Sequence, residues 1–148
     1  MSDLELTRRI LALEREQRRT STNYNPRWTF LTAPLTSTDW DGDARSTTAK
    51  TLIDLSALFA GVPAGVKAVL VAGAVRDSGS NGADCCMYLS PNNTASQGMA
   101  IDCHTINDRY QRYSFVVPCD ANGDIYYQIV ASGASTFDAY LEIWGYAL

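Results

Sequence analysis

Few side chains in this chain are suited to chemistry, and their spacing limits what they can do. The only histidine, His104, adjoins Cys103. A Cys–His nucleophile pair needs both groups converging on one point, with a third group orienting the imidazole. Neighbouring residues of a strand project to opposite faces, so these two do not converge by themselves. Cys86 or Cys119 would have to approach His104 from elsewhere in the fold. The plainer reading is a small buried cysteine beside a surface histidine. Cys85 and Cys86 are adjacent, so their thiols face opposite sides of a strand. Without Cys-x-x-Cys spacing or further histidines, the four cysteines do not read as a structural zinc site. Two readings stay open for them: buried free thiols, or one cross-strand disulfide such as Cys86–Cys103 in an oxidising medium.

Asp39-Trp40-Asp41-Gly42-Asp43 and Asp120-Ala121-Asn122-Gly123-Asp124 set hard oxygen ligands at alternating positions, which suits Ca²⁺. Asp39, Asp41 and Asp43 are the favoured metal candidates of the two sets. The full calcium-loop signature fails, because glycine is misplaced and the twelfth position counted from Asp39 is Lys50. Asx turns account for both segments without a metal. Asn92-Asn93-Thr94 matches the glycosylation triplet, which carries weight only behind a secretory leader. A Gly-rich phosphate loop, a serine nucleophile elbow and a His-Glu-x-x-His helix are all missing. No catalytic residue and no cofactor are therefore assigned, and the chain reads as non-enzymatic.

Aromatic residues are the better functional signal. Eight Tyr and three Trp supply rings with a polar edge, suited to sugar stacking and to subunit contacts. Tyr110 and Tyr113 follow the Asn107-Asp108-Arg109 turn, while Tyr140 and Trp144 share the outward face of the last strand. These four are the candidate ligand-binding residues, with the 78–82 and 90–97 loops as further platform. Packing at the edge of the core is the plain alternative.

The elements that must position these groups fall into two parts. Residues 1–20 form an N-terminal helix, 21–26 a linker, and 27–148 a β head. Ser2 and Glu5 have capping-box spacing. From there to Arg19 the chain holds no Gly, Pro or aromatic residue, and Glu5 with Arg9 and Glu14 with Arg18 stand at i,i+4 in the favourable order. Leu6, Ile10, Leu13 and Gln17 follow the 4,3 spacing of a heptad seam. A helix this short is marginal alone, so the seam packs on copies of itself or folds back on its own head. The charged surface favours an exposed stalk. Leu4 and Leu11 lie opposite the seam, either as ordinary exposed leucines or as a docking stripe for a larger assembly.

Beyond residue 24, runs of Val, Ile, Tyr, Phe and Thr alternate with Gly, Pro, Asn, Asp and Ser. Strands are expected over 27–32, 47–54, 66–76, 84–89, 98–104, 111–117, 124–131 and 136–146, with one helical turn from Ser56 to Phe59. About eight antiparallel strands predict a β-sandwich, with the jelly roll as the best single guess. In the last strand Phe137, Ala139, Leu141 and Ile143 should fill the core. Asp138, Tyr140, Glu142, Trp144 and Tyr146 should face outward. Strand 66–76 is apolar on both faces, so a neighbouring copy or a long loop should cover the second one.

Bulk properties agree with a globular head. The chain has 148 residues, 46% hydrophobic and 19% charged, and a net charge of −4. Residues 1–20 hold four acids and five arginines, and the remainder holds twelve acids and seven bases. That balance argues against nucleic acid as a partner. No apolar run reaches the ~18 residues of a membrane span. The charged N-terminus does not read as a signal peptide, so synthesis in a cytoplasm is expected.

A capped, charged helix with a short heptad, a Thr/Ser/Asn-rich connector and a β head resembles bacteriophage virion fibre and appendage proteins. Ile53-Asp54-Leu55-Ser56 with Val62-Pro63-Ala64-Gly65-Val66-Lys67-Ala68-Val69 is similar to their small β modules. The resemblance implies a homotrimer made in the host cytoplasm and located in the virion. It also implies a jelly-roll-like head and a helix that anchors the trimer to other virion proteins. It carries over no binding residues. A host surface glycan is the expected ligand if the head serves recognition.

Overall fold

Two antiparallel sheets face one another in a computed structural model that describes residues 5–7, 9–14, 27–79 and 84–148. Residues 5–7 and 9–14 are helical (α1). The head contains β1 (Trp28–Leu35), β2 (Asp41–Arg45), β3 (Thr51–Ile53), β4 (Ala68–Asp77) and β5 (Cys86–Ser90). It continues with β6 (Met99–Asp102), β7 (Gln111–Pro118), β8 (Ile125–Val130) and β9 (Phe137–Ala147). The first sheet runs β1-β9-β4-β7, with β2 also paired to β9. The second runs β3-β8-β5-β6. The fold is a mainly β, sandwich-like head with a short N-terminal helix.

Strand pairing is nested along the chain. β5 and β6 form the innermost pair, around the 91–98 bend. β4 with β7, β3 with β8 and β1 with β9 follow outward in turn. Alternation decides which faces close on each other. Val69, Val71 and Val75 of β4 meet Met87 and Leu89 of β5, Ile125 and Ile129 of β8, and Leu141 and Ile143 of β9, all fully or almost fully buried. Phe137 and Ala139 are buried too, as the period of two predicts. The expected turn is the short helix α2 (Leu55–Leu58). Asp54 caps it, accepting from the Ala57 N–H and the Ser56 hydroxyl, both at 2.9 Å.

Two expectations need correction. The segment expected as one strand over 47–54 is a strand only at β3, and β2, read as a turn, is a strand. Its Asp-Gly-Asp-Ala-Arg sequence has poor strand propensity, and its pairing to the free side of β9 overrides that. Tyr146 does not face outward. Leu70 pairs with Gly145 but Val71 with Ile143, so Trp144 is the extra residue of a bulge. Beyond it the alternation shifts by one, and Tyr146 packs against the core. Within the 39–43 segment, Trp40 faces the core. It is 3% exposed, meets Tyr127 edge-on at 4.8 Å, and carries the Arg45 guanidinium 4.0 Å over its ring.

Candidate functional site

The outer face of the first sheet holds a trough of about 770 Å³. The strand register builds it row by row. Ala74 of β4 stands between Arg112 of β7 and Tyr140 of β9, and Ala72 stands between Ser114 and Glu142. Small residues on β4 therefore make a floor, and larger ones on its two neighbours make walls. Tyr110 closes one end, edge-on to Tyr140 with ring centroids 5.6 Å apart. Trp144 completes the β9 wall, and its indole N–H donates to Glu142 Oε2 at 3.0 Å. The bulge that turns Tyr146 inward occurs at this tryptophan.

The walls are held from behind. The Arg76 guanidinium lies 4.6 Å over the Tyr110 ring. Arg76 also donates to Asp138 at 2.6 Å and pairs with Asp108 at 2.9 Å. Asp108 has φ +59° and is tied to β4 through its N–H, which donates to the Asp77 carbonyl at 3.2 Å. These contacts tie the loop carrying Tyr110 to β4 and β9. Burial, then its bond to Tyr140, pushes the Tyr110 phenol above its ordinary value, so the ring stays neutral at physiological pH.

All four sequence-predicted aromatics line this trough, but not with equal roles. Tyr113 packs beside Phe115 against the core, at 5.6 Å between centroids. Its hydroxyl crosses Gly73 to donate to the Tyr140 carbonyl at 2.7 Å. Burial, and then Glu142, raises its phenol far above the ordinary range. Tyr113 is therefore a strut, and Tyr110, Tyr140 and Trp144 are the rings open to a ligand. Sequence reasoning missed Arg112 and the alanine floor. The alternation in Gln111-Arg112-Tyr113 is a signal for Arg112, but its place opposite Tyr140 depends on β4 lying between them. The 90–97 loop lines neither this trough nor a second cavity of about 500 Å³ between β6 and β7.

That second cavity includes Cys103 and His104. His104 Nδ1 accepts from the Ile106 N–H at 2.9 Å. Burial pushes the Cys103 thiol up to about 12, so it is protonated at neutral pH and a poor nucleophile. All four cysteines are free thiols, three of them buried. Cys86 pairs with Asp102, and the Cys103 N–H donates to the Cys85 carbonyl at 2.8 Å. Cys85, not Cys86, is therefore the residue across from Cys103, and a Cys86–Cys103 bridge would join opposite faces. Among the described residues no three His, Cys, Asp or Glu side chains gather as a metal site. Asp120 is an Asx turn, its Oδ1 accepting from Asn122 at 2.8 Å and Asp124 at 2.9 Å.

On the helix, Leu4 and Gln17 lie outside the described residues. Leu6, Ile10 and Leu13 are 45%, 48% and 66% exposed, and Leu11 is 50% exposed. All four are exposed on the single chain. Among the described residues no helix is long and apolar enough to cross a membrane. No protein-family model matches the chain, and no curated protein matches it.

Proposed function

We propose that this chain is a structural protein of a phage virion: a homotrimer gathered and anchored by its N-terminal helix, with the β head exposed as a fibre tip or decoration. The single observation that carries this reading is the uncovered seam. Three large apolar side chains at heptad spacing stand in solvent on an isolated chain. Apolar area left open at coiled-coil spacing is matched best by the same area on a sister helix. The nested pairing β5–β6, β4–β7, β3–β8 and β1–β9 supports a jelly roll, a long hairpin wound so that successive pairs alternate between sheets. The resemblance of the whole organisation to fibre and appendage proteins supports the virion assignment.

Replacing Leu6, Ile10 and Leu13 by Ser together tests the seam. Each should remove roughly 2 kcal/mol of burial per chain, weakening self-association at least 100-fold. The melting temperature of the head should stay within about 2 °C, because none of the three packs on it. An unchanged particle mass in native mass spectrometry would exclude the helix as the joining element.

A second reading, that the head recognises a surface carbohydrate, is favoured by one observation. Tyr110, from the loop before β7, meets Tyr140 and Trp144 of β9 in one open trough beside a carboxylate and a guanidinium. The two readings are compatible, since a trimeric stalk presents three troughs at once and multiplies weak binding.

A further inference from the structure

The trough is longer than its aromatic end. Its floor on β4 runs from Ala74 to Leu70, roughly 13 Å at strand rise. Leu70 pairs with Gly145, and Gly145 pairs with Phe30 on β1. Phe30 is 69% exposed and stacks on Trp28 at 5.8 Å, with the ring planes 11° apart. A second aromatic platform therefore borders the open end, on β1 beside Gly145 of β9. Tyr110 blocks the other end.

The walls carry complementary polar groups. Trp144 occupies one oxygen of Glu142, which leaves the other as an acceptor. Among the described residues Arg112 has no ion-pair partner, and it stands as a donor on the opposite wall. The walls are roughly 10 Å apart, two strand spacings. Such a site discriminates among ligands. A purely apolar chain would leave Glu142 and Arg112 desolvated and unpaired. A polyphosphate or nucleic acid would meet Glu142 and a chain of net charge −4. An extended peptide finds its backbone partners at a sheet edge, and this trough lies on a face. A pyranose presents C–H faces to rings and equatorial hydroxyls to an acceptor on one side and a donor on the other.

We infer that this trough binds an extended, predominantly neutral oligosaccharide. Tyr140 and Trp144 stack on its terminal rings, Glu142 and Arg112 take its hydroxyls from opposite walls, and Trp28–Phe30 supports the sugars further along. The inference rests on the carbohydrate-recognition reading above and adds the ligand's class, direction and length to it.

The test titrates the full chain with cellohexaose, maltohexaose, xylohexaose and chitohexaose, and with the matching disaccharides, by calorimetry and tryptophan fluorescence. Ala72→Trp fills the floor without deleting any wall residue, and Phe30→Ser removes the far platform from an exposed position. At least one hexaose should bind saturably with Kd below about 1 mM. Ala72→Trp should weaken it at least 10-fold. Phe30→Ser should weaken the hexaose at least threefold while leaving the disaccharide unchanged. Binding that survives Ala72→Trp would overturn the trough but leave a carbohydrate-binding head standing. Absence of binding by every sugar would overturn both. A loss of particle mass in Ala72→Trp, with no sugar bound, would assign the trough to a second copy of the chain instead.

Discussion

Asp77→Ala should destabilise the head by about 3 kcal/mol, lowering its melting temperature by roughly 10 °C. Asp77 is 2% exposed, yet its carboxylate takes four donors. They are the Gly79 N–H at 2.8 Å, the Ser132 N–H at 2.9 Å, the Ser132 hydroxyl at 2.5 Å and the Thr136 hydroxyl at 3.1 Å. One side chain at the end of β4 thus ties down the turn after β4 and the 131–136 loop that leads into β9. Removing it breaks charge-assisted bonds and leaves donors facing an apolar hole. Asp77→Asn should cost less, about 1–2 kcal/mol, because the new amide faces one backbone N–H that cannot accept from it, while the hydroxyl beside it can turn to accept.

The same residue predicts an acid limit. Burial alone would raise the Asp77 carboxyl, but the bonds from Ser132, Gly79 and Thr136 outweigh it and hold the group below the usual carboxylate range. A lowered native value means that the unfolded chain binds the proton more readily. The contribution of Asp77 is therefore complete above the ordinary aspartate value near ~4. It is lost as pH falls from there through the depressed native value. Chemical denaturation across pH 2–7 should show this slope in the native protein and a flatter one in Asp77→Asn.

The second large effect is expected at Gly73. Ala at this position should cost about 3 kcal/mol or more. The added methyl would sit 2.7 Å from the Tyr113 hydroxyl and 2.8 Å from the Tyr140 carbonyl carbon. Neither can retreat cheaply. One is a backbone atom of the central strand β9, and the other is the strut that reaches it. Gly65 is the informative control. A methyl there meets nothing within 4 Å, and its cost comes only from φ +74°. Gly65→Ala should thus lose about 1 kcal/mol. Equal losses at the two sites in urea unfolding would show that the crossing of Tyr113 over β4 does not constrain the sheet.

Where one face of a strand is buried, the sequence was readable. Phe137, Ala139, Leu141 and Ile143 alternate with polar residues, and that alternation alone assigned them inward. The short helical turn after Ile53 was readable as well, because its bonds are local, although the expected span from Ser56 to Phe59 lies one residue too late. Features set by a partner strand were not. β2 is polar and glycine-containing, and it is a strand only because β9 offers it an edge. The bulge at Trp144 adds one residue opposite β4, and no local pattern in Glu-Ile-Trp-Gly-Tyr announces it. Its effect is to send Tyr146 inward and leave Trp144 on the trough. Likewise the aromatic members of the site could be named from residue type, but the alanine floor and Arg112 could not. Alanines on a strand gain meaning only when the two flanking strands are known.

Sedimentation equilibrium of the full 148-residue chain at micromolar concentration measures the assembly most directly. The proposed homotrimer, taken from the resemblance to fibre proteins, predicts a particle of three times the 16.2 kDa chain mass. A single-chain mass at every concentration would contradict it, and with it the placing of Leu6, Ile10 and Leu13 in a shared seam.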